Sequence, residues 1–151
     1  MPSIKSERLE IERECVGLIH RLAQYSDHDE RERSADLFTA GGTWIRAGTP
    51  YTGRDAILSS FKGPPEQILR HFVASTVVDI PDASHAQAVS YYLLYRHVPE
   101  EIANPAQPLP LGMPFSLGEW HDKFVKTEDG WRISHREVRR LFQLPAGPVS
   151  R

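Results

Sequence analysis

Between Leu69 and Phe142 the sequence offers little except long strand patterns, and that stretch decides what the chain can become. "LRHFVASTVVDIP" (69–81) alternates in polarity and is rich in β-branched residues, which reads as a strand. Pro81 and Asp82 turn the chain into "AQAVSYYLLYRHV" (86–98), its antiparallel partner. "FSLGEWHDKFVK" and "WRISHREVRRLF" flank Asp129-Gly130, a two-residue hairpin signal. Between the two pairs, "PEEIANPAQPLPLGMP" (99–114) holds five of the twelve prolines and has no regular pattern. It is expected as a flap over a cavity or across a subunit boundary, with Leu109, Leu111, Met113 and Phe115 as apolar side chains to bury.

Helical patterns come before these strands. Ile11, Cys15, Leu18, Ile19, Leu22 and Tyr25 recur at spacings of three and four, one buried face of a helix with Ser6 as its N-cap and its end near Tyr25 or Ser26. Asp29-Glu30-Arg31-Glu32 has the D-x-x-E shape of a helix N-terminus, opening a short helix through Leu37 and Phe38. Asp29 thereby has a capping duty, and Asp27 is left with none. A strand around Thr43–Ala47, a turn and a short returning strand follow, then a short helix in 53–63 with Ala56, Ile57 and Phe61 inward. Helices first and long antiparallel strands after them argue for an α+β fold, a curved antiparallel sheet closing over helices as a cone. Such a sheet leaves a cavity between its concave face and the first helix.

With 151 residues the chain fits one domain, 1–151, ending in a loose tail from about 143. A net charge of −2 provides no field toward nucleic acid or a membrane, no apolar run can span a bilayer, and "MPSIKSERLEIEREC" lacks the apolar stretch of a signal peptide. A cytoplasmic location is expected. Cys15 is the only cysteine, and the seven histidines form no H-x-H, H-E-x-x-H or H-x-D pattern. His121 and Asp122, adjacent on a strand, point opposite ways. Neither a metal nor an organic cofactor is expected. The basic run "SHREVRR" (134–140) reads as a solvated face or dimer rim.

Five pieces in order, "QYSDHDERERSADLFTAGGTW", "YTGRDAI", "RHFVAST", "AVSYYLLYRH" and "GEWHDKFVKTEDGWRISHREV", resemble the SnoaL-like group of the nuclear-transport-factor-2-like superfamily over about residues 8–140. The resemblance implies the α+β cone, also called a cystatin-like α+β barrel. Within that superfamily, scytalone dehydratase, bile-acid 7α-dehydratase and hexachlorocyclohexane dehydrochlorinase use an Asp–His pair. Asp27, ahead of "ADLF" and Trp44, matches the acid; His71, opening "RHFVAST", matches the base; and His97 falls near the second histidine of scytalone dehydratase. The Asp–Tyr–Asp set of the steroid isomerases has no assignment here. The resemblance therefore implies a cofactor-independent lyase or isomerase, dehydratase-like, acting on a small apolar cyclic substrate in a mostly apolar pocket.

On that reading Asp27 and His71 are the candidate catalytic residues, and Tyr25, Trp44, Tyr91, His97 and Trp120 the candidate substrate-binding ones. A carboxylate can fix the tautomer of an imidazole that removes a proton from carbon, and a tyrosine hydroxyl (Tyr25, or one of Tyr91 and Tyr92) can polarise a carbonyl. Each residue also has a plainer reading. Asp27 could cap the second helix in place of Asp29, and His71 could be a hydrogen-bonded structural histidine. His97 could lie on the outer face. Tyr91 and Tyr92 point to opposite faces, so one belongs to a core or interface. Trp44 and Trp131 suit a core. Parity along 69–80 places His71, Val73 and Ser75 on the concave face and Phe72, Ala74 and Thr76 away from it. The expected partners are a small-molecule ligand and further copies of the chain, as a dimer or trimer. A non-catalytic ligand-binding module, or a partner resembling the β-subunit of a ring-hydroxylating dioxygenase, is the alternative.

Overall fold

The structure, a computed structural model, describes residues 3–104 and 106–145. Helix α1 spans Ile4–Asp27, and its N-cap is Ser3, whose hydroxyl accepts the Ser6 N–H, rather than Ser6 itself. Cys15, Leu18, Ile19 and Leu22 form its buried face, as their spacing requires, and the helix runs on to Asp27. Helix α2 is shorter than expected, Arg31–Asp36, because Phe38 already begins a strand. Its N-cap is Glu30, without a side-chain cap. Asp29 instead adopts a left-handed backbone (φ 57°), and its carboxylate takes the Arg31 Nε–H at 2.6 Å. The capping duty expected of Asp29 is therefore absent.

Strands β1 (Phe38–Arg46) and β2 (Thr49–Thr52), helix α3 (Arg54–Ser59), then β3 (Ile68–Asp79), β4 (His85–His97), β5 (Ser116–Thr127) and β6 (Gly130–Gln143) complete the order. The six strands form one curved sheet in the order β2-β1-β6-β5-β4-β3. Neighbours are antiparallel except β1 and β6, which run parallel, and the sheet is not closed: β2 and β3 are its edges. Helix α1 packs into the concave face, chiefly against β3. Its apolar stripe meets Phe38, Trp44, Tyr92, Trp120, Phe124, Trp131 and Ile133 in one core. No helix among the described residues is long and apolar enough to cross a membrane.

Two bulges shift the alternation that the sequence suggests. On β3, three steps from Ala74 to Val77 pass two on β4 (Tyr91 to Val89), and Ser75 takes a positive φ of 46°. His71 and Val73 face inward, but after the bulge it is Thr76, not Ser75, that turns in, its hydroxyl donating to Ser90 Oγ at 3.0 Å. On β6, Ile133 pairs with Phe124 but His135 with Lys123, so Arg136 rather than His135 turns inward. The Pro-rich connection holds a 3₁₀ turn at Pro99–Glu101; Phe115 lies against the concave face, whereas Leu111 and Met113 are exposed, against expectation. Of the expected loose tail, β6 reaches Gln143 and the Leu144 N–H donates to the Phe115 carbonyl; residues 146–151 lie outside the described residues.

Burial, reinforced by the carboxylates of Glu14 and Asp122, pushes the Cys15 thiol from 9.0 up to about 12. In the unfolded chain the thiol ionises first, so its contribution to stability is whole below pH 9.0 and is lost as pH rises toward about 12. Cys15 should accordingly react with a thiol reagent only as fast as the protein unfolds, and urea titrations should show an alkaline loss of stability that Cys15→Ala reduces.

Candidate functional site

The C-terminus of α1 meets the edge strand β3 through one side chain. Asp27 Oδ2 accepts the backbone N–H of His71 at 2.8 Å, and Asp27 Oδ1 lies 2.5 Å from His71 Nδ1. Both side chains are nearly shut off from solvent, 7% exposed for Asp27 and 14% for His71. An edge strand leaves every second N–H without a ladder partner, and burying one unpaired costs free energy. Asp27 satisfies the one at His71 and with its other oxygen holds the ring. The expectation that Asp27 has no structural duty is thus corrected. With a carboxylate on Nδ1, the proton of a neutral imidazole sits there, and the lone pair of Nε2 is the one left over. No basic residue occupies the last turn of α1, so the N–H groups of His71 are what an acid placed at the negative end of the helix dipole is offered.

His71 borders a cavity of about 500 Å³ between α1 and the concave face of the sheet. One wall is aromatic. Tyr92 and Trp120 stack with ring centres 5.1 Å apart, and the His71 ring lies 6.2 Å from the first and 5.4 Å from the second. Trp44 and Phe61 meet edge to face on the other side, with Tyr51 nearby. Behind Trp120, the fully buried Arg136 and Asp122 form a two-pronged ion pair, Nε to Oδ1 at 2.6 Å and Nη2 to Oδ2 at 2.7 Å. The Arg136 guanidinium stands 4.3 Å from the Trp120 ring centre.

Of the expected site residues, Asp27 and His71 are brought together, and Trp44 and Trp120 line the cavity. Three are not at the cavity. Tyr91 lies on the outer face, 51% exposed, and it is the buried Tyr92 that faces inward. His97 is also on the outer face, because Arg96 takes the inward position at that end of β4, and its Nδ1 lies 3.6 Å from Glu101. Tyr25 is turned toward α2, where Arg33 covers its ring at 4.1 Å and donates to its hydroxyl at 2.9 Å. The cavity is not mostly apolar either, since Arg31, Arg46, Arg96, Arg136 and Arg140 all border it. Arg136 and Arg140, read as part of a solvated basic run, face inward because of the bulge that precedes them. Among the described residues no three His, Cys, Asp or Glu side chains gather as a metal site.

The sequence profile of the SnoaL-like domain matches residues 7–137. No curated protein matches the sequence. Among solved structures, one from Novosphingobium aromaticivorans, provisionally assigned as a scytalone dehydratase, superposes with a TM-score of 0.78 at 19% identity over 93% of this chain and 91% of that one. A protein of the same organism described as NTF2-like with a cystatin-like fold gives 0.72 at 21% identity, over 93% and 92%. A Catenulispora acidiphila protein, solved in complex with S-DNPA, gives 0.69 at 23% identity, over 87% and 94%. These likenesses establish the cystatin-like fold.

Removing the carboxylate and exchanging it for an amide should have different consequences. Asp27→Ala strands the His71 N–H and should cost about 1–3 kcal/mol in urea unfolding. In Asp27→Asn the amide oxygen can still accept that N–H while its NH₂ donates to Nδ1, so the loss should stay under about 1 kcal/mol. The price is tautomeric: the imidazole proton moves to Nε2, which ¹⁵N chemical shifts of His71 would report.

Proposed function

The chain belongs to the SnoaL-like domain family, and we propose that it is a cofactor-independent lyase or isomerase, dehydratase-like, acting on a small cyclic substrate through Asp27 and His71. The observation that supports this reading is the pair of hydrogen bonds that Asp27 accepts from His71, which leaves Nε2 as the basic nitrogen of a shielded ring beside the cavity. In the proposed step Nε2 removes a proton from carbon next to a carbonyl, and Asp27 stabilises the imidazolium formed. The same proton, returned to a departing hydroxide, gives water and a new C=C bond; returned to another carbon, it gives an isomer. Tyr92, beside His71 on the cavity wall, takes the carbonyl-polarising role first assigned among Tyr25, Tyr91 and Tyr92. Trp44 and Trp120 provide flat surfaces for a ring.

The reading also includes a single domain acting as a homo-oligomer. Phe72, Val77 and Tyr91 are exposed together on the outer face of β3 and β4, the kind of apolar surface that a second copy would cover. The alternative, a module that binds its guest without transforming it, keeps the same cavity and differs only in the work done by His71.

A screen of cyclic hydroxy-ketones, halides and enones, in buffer without metal or organic cofactor, should reveal turnover, or solvent deuterium entering the substrate next to its carbonyl. His71→Gln should lower the rate by about 10²–10⁴-fold, Asp27→Asn comparably, and the double variant little further. Undiminished rates in His71→Gln would leave the binding-module reading.

A further inference from the structure

The five arginines around the cavity fall into two groups. Arg31 is paired with Asp29 at 2.6 Å and donates to two backbone carbonyls, and Arg136 is locked to Asp122. Arg46, Arg96 and Arg140 have no carboxylate partner among the described residues. Each uses part of its guanidinium on a neutral acceptor: Arg46 on Ser60, Arg96 on Gln67 Oε1, Arg140 on Gln143 Oε1.

The three converge. Arg96 and Arg140 stand 5.3 and 5.9 Å from the centre of the same Phe115 ring. Arg46 lies between the Trp44 and Phe61 rings, at 4.7 and 4.9 Å, close enough to Arg140 to feel its charge. Burial, with repulsion from Arg140 and Arg31, lowers the hold of Arg46 on its proton. Like charges gathered in a half-buried wall are unfavourable without an anion among them. Planar forks on aromatic surfaces suit a carboxylate, which can take two parallel N–H bonds.

We propose that the ligand of this cavity is a small cyclic carboxylic acid whose carboxylate is held by Arg46, Arg96 and Arg140 while its ring lies on Tyr92 and Trp120. The inference deepens the reading given above, on which it rests for the place of the reacting carbon. His71 is level with Leu94 across the β3–β4 ladder, and Arg96 follows two residues later on the same face, about 7 Å along the strand. With Arg96 on the acid end, the body of the ligand extends along this face toward His71. A substrate without charge, as the sequence alone suggests, would leave these three like charges around one cavity without a counter-ion.

Binding tests this apart from turnover. Tryptophan fluorescence, reporting Trp44 and Trp120, would be titrated with benzoate and cyclohexanecarboxylate, and with benzamide and cyclohexanecarboxamide, their uncharged counterparts of equal shape. The acids should bind at least about 30-fold more tightly, and high ionic strength should reduce the difference. Arg46→Gln and Arg96→Gln should each remove about tenfold or more of that preference, and Arg140→Gln less, since it is the more exposed. Arg46→Lys, which keeps the charge and loses the fork, should fall between Gln and the native residue; thermal melts would confirm that each variant is folded. Equal affinity for acids and amides, or an acid preference untouched in folded Arg46→Gln and Arg96→Gln, would overturn the proposal. The preference should persist in His71→Gln. If it does while turnover also survives there, the anion site stands and only the catalytic role of His71 is lost.

Discussion

The carboxylate of Asp27 joins the two layers of this fold at the point where both are weakest. Helix α1 ends there, with its last carbonyls and the negative end of its dipole. Strand β3 is an edge, with N–H groups that no neighbouring strand can take. One side chain answers both problems, because its two oxygens meet the main chain and the ring of the same residue, His71. The geometry has a chemical by-product. The imidazole is held by the same carboxylate that takes its residue's backbone N–H, which fixes the direction of its free nitrogen. Structural and catalytic readings of Asp27 are therefore not rivals, since the carboxylate that closes the helix onto the sheet through one oxygen sets the tautomer through the other.

A second buried pair supports the floor of the cavity. Arg136 and Asp122 are fully buried, and the guanidinium lies over Trp120, the ring on which both Tyr92 and His71 rest. Two ions removed from water are not a cheap way to stabilise a core; well-packed apolar residues often do as well or better. What the pair provides is a fixed orientation of a large indole, held by a planar fork that allows little rotation. The aromatic wall is thus backed by charge, and the cationic end of the cavity lies on the same strand, two turns of the pleat further on, at Arg140.

Much of this was legible in residue order. Spacing along 11–25 found the buried face of α1, the Asp129-Gly130 turn located the last hairpin, and the five family-like pieces pointed to the fold and to Asp27 and His71. What was not legible traces largely to bulges. Counting from the Thr127–Gly130 turn pairs Asp122 with His135, and only the extra residue after Ile133 moves Arg136 opposite it. The same shift carries Arg136, Val138 and Arg140 inward and makes a run that reads as solvated into cavity wall. Parity could have separated Tyr92 from Tyr91 only with one inward residue of β4 already known. Arg46 and Arg96 carry no local signal at all, since an arginine in an alternating strand looks the same whether it faces water or a cavity.

The parallel pairing of β1 with β6 has a temporal consequence. Strands β3 to β6 are joined by successive antiparallel pairings, each between neighbours in sequence, and can zip together as they leave the ribosome. Strand β1, made long before, can pair only with β2 and cannot join the rest of the sheet until β6 exists, about ninety residues later. Trp44 and Arg46 travel with it. One wall of the cavity therefore depends on the last strand made, and until β6 is in place the aromatic surface of Tyr92 and Trp120 lacks the cover that Trp44 and Arg46 provide across the cavity.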